Sequence, residues 1–315
     1  MNKRKVLIKI IGVFCLVVGL FSLFLIPAEF TSFYAFSEGS NFYYKGFGFG
    51  SLMFAFIILN VLAYFTLAVS SIPLGIGNFT LKKWGLNLSL AFSKTTLIIG
   101  IATLISFLSS FDLIKVLEPY QTLIILTFFL VFLIIVPYAL IRFYKNPKTT
   151  QLFQDSIPDN DFEKQPPINL TIILLNLFWI LIFYLFIFLK GVFPLFGDFV
   201  FKREGTYLLS TAIFGLFVLT YLFYKNKYYV KFLMIIYYII LLFAFMLTFL
   251  KFSTNDLVSL LNLPVYEIEK VVPAFWIPAG INLGYFFGTM LVIQIYLIFR
   301  IKKIELENVE KILKT

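Results

Sequence analysis

The sequence predicts an all-α, polytopic membrane protein with about eight transmembrane helices. Three observations carry that reading. Hydrophobic residues make up 61% of the 315-residue chain and charged residues 13%, against about half and about a quarter in soluble domains. Apolar runs of roughly 20 residues, long enough to cross a ~30 Å hydrocarbon core, recur from end to end rather than in one core-sized block. Lys and Arg gather in alternate connections: with the spans assigned below, 19 of the 26 fall on one side and 7 on the other, while the acids split 7 and 9. Charges of +12 and −2 are the asymmetry that keeps the basic side in the cytoplasm, so the expected location is the cell's cytoplasmic membrane with both termini cytoplasmic. The same distribution makes the lipid bilayer, with anionic headgroups on the cytoplasmic side, the expected partner, and argues against nucleic acid as the reason for the net charge of +10.

The chain opens on the basic stretch Met1 to Lys5, and Val6–Ile26 is an apolar run of 21 residues closed by Pro27. Secretory signal cores are shorter, about 7–15 residues, and end in small residues, so this run reads as a retained first span. Ala28–Phe49 is expected to be an outer loop lying along the membrane, because its Phe and Tyr rings favour headgroup depth. Gly46-Phe47-Gly48-Phe49-Gly50 lacks the preceding strand and following Lys-Ser/Thr of a phosphate loop, and reads as an entry into the next helix.

The second span, Leu52–Ile72, is expected to end near Pro73, Gly75 and Gly77. Asn60 and Tyr64, four apart, share one of its faces. The third span has two readings. If it runs from Trp84 to Phe107, Lys94 lies about 15 Å deep at ~1.5 Å per residue, a costly place for an ammonium. If Trp84–Ser93 is instead an interfacial amphipathic turn, with Trp84, Leu88 and Ala91 toward lipid, the span begins at Thr95 and Lys94 reaches water; this second reading is preferred. Ser109 to Pro119 carries Ser-x-x-Asp before Leu113, Val116 and Leu117, which predicts a short capped helix on the outer surface.

The fourth span is Tyr120–Ile141, with Pro137 near its inner end. Asn146 to Ile168 is polar and proline-rich and divides the chain into a first half, 1–145, a cytoplasmic linker, 146–168, and a second half, 169–315. Asp159, Asp161 and Glu163 have the one-three-five spacing of a calcium loop, but Lys164 and Leu170 stand where such a loop needs Gly and Glu. Spans five to eight are Leu170–Leu189, Thr206–Tyr224, Tyr229–Leu250 and Trp276–Phe299, with an outer turn at Gly191–Asp198 and a charged helical tail from Arg300. Gly280, Gly284 and Gly288 put one smooth face on the eighth span, suited to close helix contact.

A thinned internal echo links the halves. Lys83-Trp84, an apolar span and Ser109-Ser110-Phe111-Asp112-Leu113 return 144 residues later as Lys227-Tyr228, an apolar span and Ser253-Thr254-Asn255-Asp256-Leu257. This suggests a 4+4 tandem duplication in parallel orientation, related by an axis along the membrane normal.

Chemistry is sparse. With no histidine and one cysteine, Cys15, the commonest metal ligand and general base are missing, and no metal or cofactor is expected. Ser89 and Ser93 are not at helix-facing spacing with Lys94 for a serine–lysine pair, and Glu267-x-Glu269 reads as surface acids, so no enzyme is expected. Two functions remain: a non-catalytic membrane component packing against lipid or a partner protein, or a small-solute permease with its pathway between the halves. Lys94, Asn60, Asn176, Asn282 and Gln294 are the polar candidates for lining such a pathway.

Four stretches, Ile10-Ile11-Gly12-Val13-Phe14 with Gly19-Leu20-Phe21-Ser22-Leu23-Phe24, Leu81-Lys82-Lys83-Trp84 with Asn87-Leu88-Ser89-Leu90, Leu140-Ile141-Arg142-Phe143-Tyr144, and Gly191-Val192-Phe193-Pro194-Leu195-Phe196-Gly197, resemble a group of bacterial multi-span membrane proteins of uncharacterised activity. The resemblance implies the multi-span topology, and no activity comes with it.

Overall fold

The computed structural model describes residues 3–110, 118–153, 165–225, 227–271 and 282–313. Eight of its helices are long and apolar enough to cross a membrane, and the chain is a polytopic membrane protein. They are α1 (Lys3–Phe36), α2 (Leu52–Thr80), α3 (Lys83–Leu108), α4 (Pro119–Lys145), α6 (Pro167–Phe188), α7 (Lys202–Tyr224), α8 (Tyr228–Lys251) and α10 (Leu283–Leu313). Two short helices, α5 (Pro147–Thr150) and α9 (Thr254–Leu260), and a hairpin of β1 (Phe193–Leu195) and β2 (Asp198–Val200) connect them. One face of the bundle carries the start of α1, the ends of α2, α4 and α7 and the starts of α3, α6 and α8, tied by Arg4 donating to Thr149 at 2.9 Å and Gln165 to the Tyr224 carbonyl at 2.8 Å. We call it the terminal face, and the opposite one the distal face.

At the centre stands α3, packed on α2 and α4 in its own half and on α6 and α10 in the other. It is one continuous helix from Lys83, which corrects the expected interfacial turn at Trp84–Ser93. Leu86, Leu88, Leu90 and Ala91 are buried, Leu86 and Leu90 in a cluster with Ile8, Leu81, Tyr144 and Phe153, so the segment has protein rather than lipid around it.

Pro27 and Pro73 do not end their helices either; α1 runs nine residues past the first and α2 seven past the second. A proline removes one N–H and frees one carbonyl, which a packed span tolerates more readily than exposed loop backbone in lipid. The glycines beyond Pro73 are contact points rather than terminators. A Cβ on Gly75 would lie 2.8 Å from the Gly12 carbonyl oxygen on α1, and one on Gly77 would lie 2.5 Å from Gly85 Cα. Gly284 and Gly288 likewise accept Phe249 and Met246 of α8, as expected of the smooth face; Gly280 and the predicted start at Trp276 lie outside the described residues.

Pro137 has a local consequence. It cannot donate to the Leu133 carbonyl, and residues Phe129–Ile135 widen into a π-helical turn in which Val136 N–H reaches back to Val131. Gly100 of α3 sits against this turn: a Cβ there would collide with the Leu133 carbonyl oxygen and lie 2.6 Å from Leu133 Cβ. Glycine is what lets the two backbones approach.

The second-half copy of the predicted capped helix, at Ser253–Leu261, appears as α9, where Ser253 and Asp256 each bond the other's backbone N–H, at 3.1 and 2.7 Å. Its Leu257 and Leu261 are buried, whereas Leu260 is exposed. The Leu113–Leu117 counterpart and the acidic run Asp155–Glu163 lie outside the described residues. The expected turn at Gly191–Asp198 is a hairpin, reversed by Phe196 and Gly197 at φ 45° and 96°, with Phe193 and Phe199 buried.

Gly100→Ala is expected to destabilise the protein by about 1–3 kcal/mol, the range for overpacking. Gly215→Ala, whose Cβ would find its nearest neighbour at 3.7 Å, is expected to be neutral or slightly stabilising. Thermal unfolding of both variants in detergent measures the difference.

Candidate functional site

On the distal face the two halves are locked by a carboxylate. Glu267 is fully buried, and this corrects its reading as a surface acid. Its Oε2 accepts from Leu52 N–H and its Oε1 from Met53 N–H, both at 2.7 Å, and Oε1 also accepts from the Tyr44 hydroxyl at 2.6 Å. Leu52 and Met53 open α2, so a negative charge meets the helix donors that lack intrahelical partners. Tyr44 stacks on Tyr266 at 4.6 Å, and burial followed by the adjacent carboxylate pushes its phenol well above the usual tyrosine range, keeping it a donor. Glu269 is exposed. No local signal marks Glu267, because its partners lie more than 210 residues away.

In the second half a polar network ties all four spans. Trp179 on α6 donates to Gln294 on α10 at 2.6 Å; Gln294 in turn reaches Asn176 at 3.5 Å. Asn176 donates to Thr220 on α7 at 2.8 Å and accepts from Tyr238 on α8. Asn176, Trp179, Tyr238 and Gln294 are all fully buried. The two pathway candidates Asn176 and Gln294 therefore sit together, bonded to neighbouring helices and walled by Phe183, Phe245 and Phe287.

The other three candidates are dispersed. Asn60 donates to Glu29 of α1 at 3.1 Å, and Tyr64 on the same face reaches the same carboxylate. Asn282 begins α10: its oxygen accepts from Tyr285 N–H at 3.3 Å, and its backbone docks on α3 through Ser106 at 2.6 Å and Ser110 at 2.9 Å. Lys94 is half-buried on the α3 stripe that continues through Leu97, Ile101, Ile105 and Leu108. Its charged neighbours are Lys145, at the end of α4, and Arg300 on α10, both toward the terminal face.

A groove of about 730 Å³ lies at the junction of the halves, between α2, α3 and α6. Phe65, Val69 and Pro73 form one wall, Ile173, Leu174 and Leu177 the other, and Trp84, Leu88 and Lys82 the end at the terminal face. None of the five pathway candidates lines it. Beside the groove the seam carries an apolar cluster: Ala55, Ile98 and Ala102 of the first half belong to the same buried cluster as Ile172, Leu175 and Trp179 of the second. Among the described residues no group of three or more metal-ligating side chains is found.

Fold and seam together define a multi-pass integral membrane protein. Comparison with known proteins returns no matching family, no matching curated protein and no matching solved structure.

Glu267→Gln places an amide NH2 against the N–H donors of α2 and is expected to cost about 2–3 kcal/mol, with faster hydrogen exchange at Leu52 and Met53. Tyr44→Phe, which removes one donor, is expected to cost about 1 kcal/mol. Denaturant unfolding in detergent, read with residue-level exchange, tests both.

Proposed function

We propose that this protein is a non-catalytic membrane component that works through packing, presenting its helical surface and seam to lipid or to a partner protein. The observation that carries the reading is how its intramembrane polar groups are used. Asn176, Trp179, Thr220, Tyr238 and Gln294 bond one another, Asn78 bonds Ser89 at 2.7 Å and accepts from Tyr144 at 3.1 Å, and Asn60 bonds Glu29. A solute pathway needs polar groups that turn toward a water-filled space at mid-depth. Here they hold helices together, and outside the groove between α2, α3 and α6 the seam where a permease would place its route holds a buried cluster of Ile, Leu, Ala and aromatic side chains.

The charge asymmetry supports placing the terminal face, with Lys82, Lys83, Arg142 and Lys145, in the cytoplasm and the membrane as the cytoplasmic one. Anionic headgroups are then the complement of that face.

Two measurements test this. Reporter fusions after Lys83, Asp161 and Lys227 are expected to report the cytoplasm, and those after Ser40, Lys202 and Asp256 the outside; an external signal at Asp161 overturns the orientation. Vesicles reconstituted with the protein are expected to swell in glycerol, sugars and amino acids no faster than empty vesicles. Saturable uptake of any of them would replace the packing role with the permease.

A further inference from the structure

Resting on the packing role just proposed, we infer that the groove between α2, α3 and α6 is a binding site for one anionic phospholipid of the terminal-face leaflet, an acyl chain in the groove and the headgroup on Lys82.

The walls specify the buried part of the ligand. Nine of the twelve lining residues are apolar, and the Ser70 hydroxyl already donates to the Thr66 carbonyl at 2.8 Å. An occupant therefore meets mainly hydrocarbon along its length, which suits an alkyl chain. A volume of about 730 Å³ falls in the ~300–1,000 Å³ range of specific ligand sites.

The axial position specifies the leaflet. From Phe65 to Thr80 the helix α2 covers about 22 Å at ~1.5 Å per residue, and the groove spans that stretch down to Lys82. Half of a ~30 Å hydrocarbon core plus the headgroup zone is of that order. At the distal end α2 and α6 are joined, with Gly50 N–H donating to the Phe188 carbonyl at 3.0 Å and Phe54 meeting Phe188 at 5.9 Å between ring centres. The groove's lining therefore runs from Phe65 to Lys82, on the terminal-face side of that joined end, which places it against the terminal-face leaflet.

The mouth specifies the headgroup. Lys82 is exposed there, beyond a left-handed Leu81 that turns it off the end of α2, and the indole of Trp84 sits beside it at the interfacial depth that tryptophan favours. A lone ammonium above an apolar slot complements a phosphate bearing an attached alkyl chain. It favours a headgroup with net negative charge, since a zwitterion brings its own cation to the same place.

Native mass spectrometry of the full chain released from nanodiscs containing equal phosphatidylglycerol and phosphatidylcholine tests the site. The wild type is expected to retain one phosphatidylglycerol. Lys82→Gln is expected to weaken retention about fivefold, the worth of one surface cation near anionic lipid. Leu174→Trp, which fills the groove, is expected to abolish it, while Phe214→Trp on the lipid-facing side of α7 leaves it unchanged. Equal retention of both lipids, or retention insensitive to Lys82→Gln and Leu174→Trp, overturns the inference. A photo-cross-linker at Ile173 provides a second readout in native membranes: a phospholipid adduct supports the site, and a protein adduct overturns it in favour of a docked helix. Loss of lipid retention with vesicles still impermeable removes this site alone, whereas permeable vesicles remove the packing role itself.

Discussion

A polar group in hydrocarbon has no water to fall back on, and each one left without a partner costs several kcal/mol. The structure is arranged by that constraint. Near the terminal face Asn78, Ser89 and Tyr144 bind α2, α3 and α4 to one another. Deeper in the second half, Asn176, Trp179, Thr220, Tyr238 and Gln294 do the same for α6, α7, α8 and α10. At the distal face Glu267 crosses between halves to hold the start of α2. Among the described buried side chains only Thr95 Oγ1 and Asn169 Oδ1 have no partner. The Asn78 and Asn176 networks each lie within one half, and the halves are joined by apolar contact along α3, by Glu267 at the start of α2 and by Ser106 and Ser110 on the Asn282 backbone.

Apolar association between helices gains little in lipid, because lipid tails are as apolar as leucine, and close backbone approach has to supply the contact. Glycine provides it wherever two spans meet most tightly: Gly12, Gly19 and Gly75 between α1 and α2, Gly77 against Gly85, and Gly100 under the π-helical turn of α4. The last case couples two residues with opposite habits. Pro137 disturbs one helix by withholding a donor, and Gly100 on its neighbour leaves room for the disturbed turn.

The number of spans was legible because hydropathy and charge vary over lengths that only lipid explains. The span ends were less so. Pro27, Pro73 and the glycines after it carry rules learned from helices in water, where a broken turn is rescued by solvent; inside a bundle the same residues stay helical and become contacts. The α9 cap was readable because Ser253 and Asp256 are three residues apart. Glu267 was not, since nothing near it in the chain announces that its partners are at Tyr44, Leu52 and Met53. The hairpin at 193–200 did carry a signal, Phe196-Gly197 between Phe193-Pro194-Leu195 and Asp198-Phe199-Val200, but strands are not looked for in so helical a chain. Of the pathway candidates, Asn60 with Tyr64 was recognisable as one face, while their partner Glu29 was assigned to a loop that proves to be helix.

The position of α3 explains why the groove lies where it does. α3 and α6 both rise from the terminal face and pack on each other, whereas α2 descends beside both from its anchor at Glu267. Three rods so arranged can touch all along only if their spacing is constant, yet α2 is drawn to α6 at the distal end by the Gly50–Phe188 bond and to α3 at the terminal end by Gly77 and Gly85. Pulled to one neighbour at the top and to the other at the bottom, α2 must leave α6 part-way down. The gap that opens is bounded by the side chains of all three helices and ends at the first cation after α2. What the seam offers its surroundings there is a mainly apolar slot with a positive charge at its rim, and the bilayer has a molecule of that form.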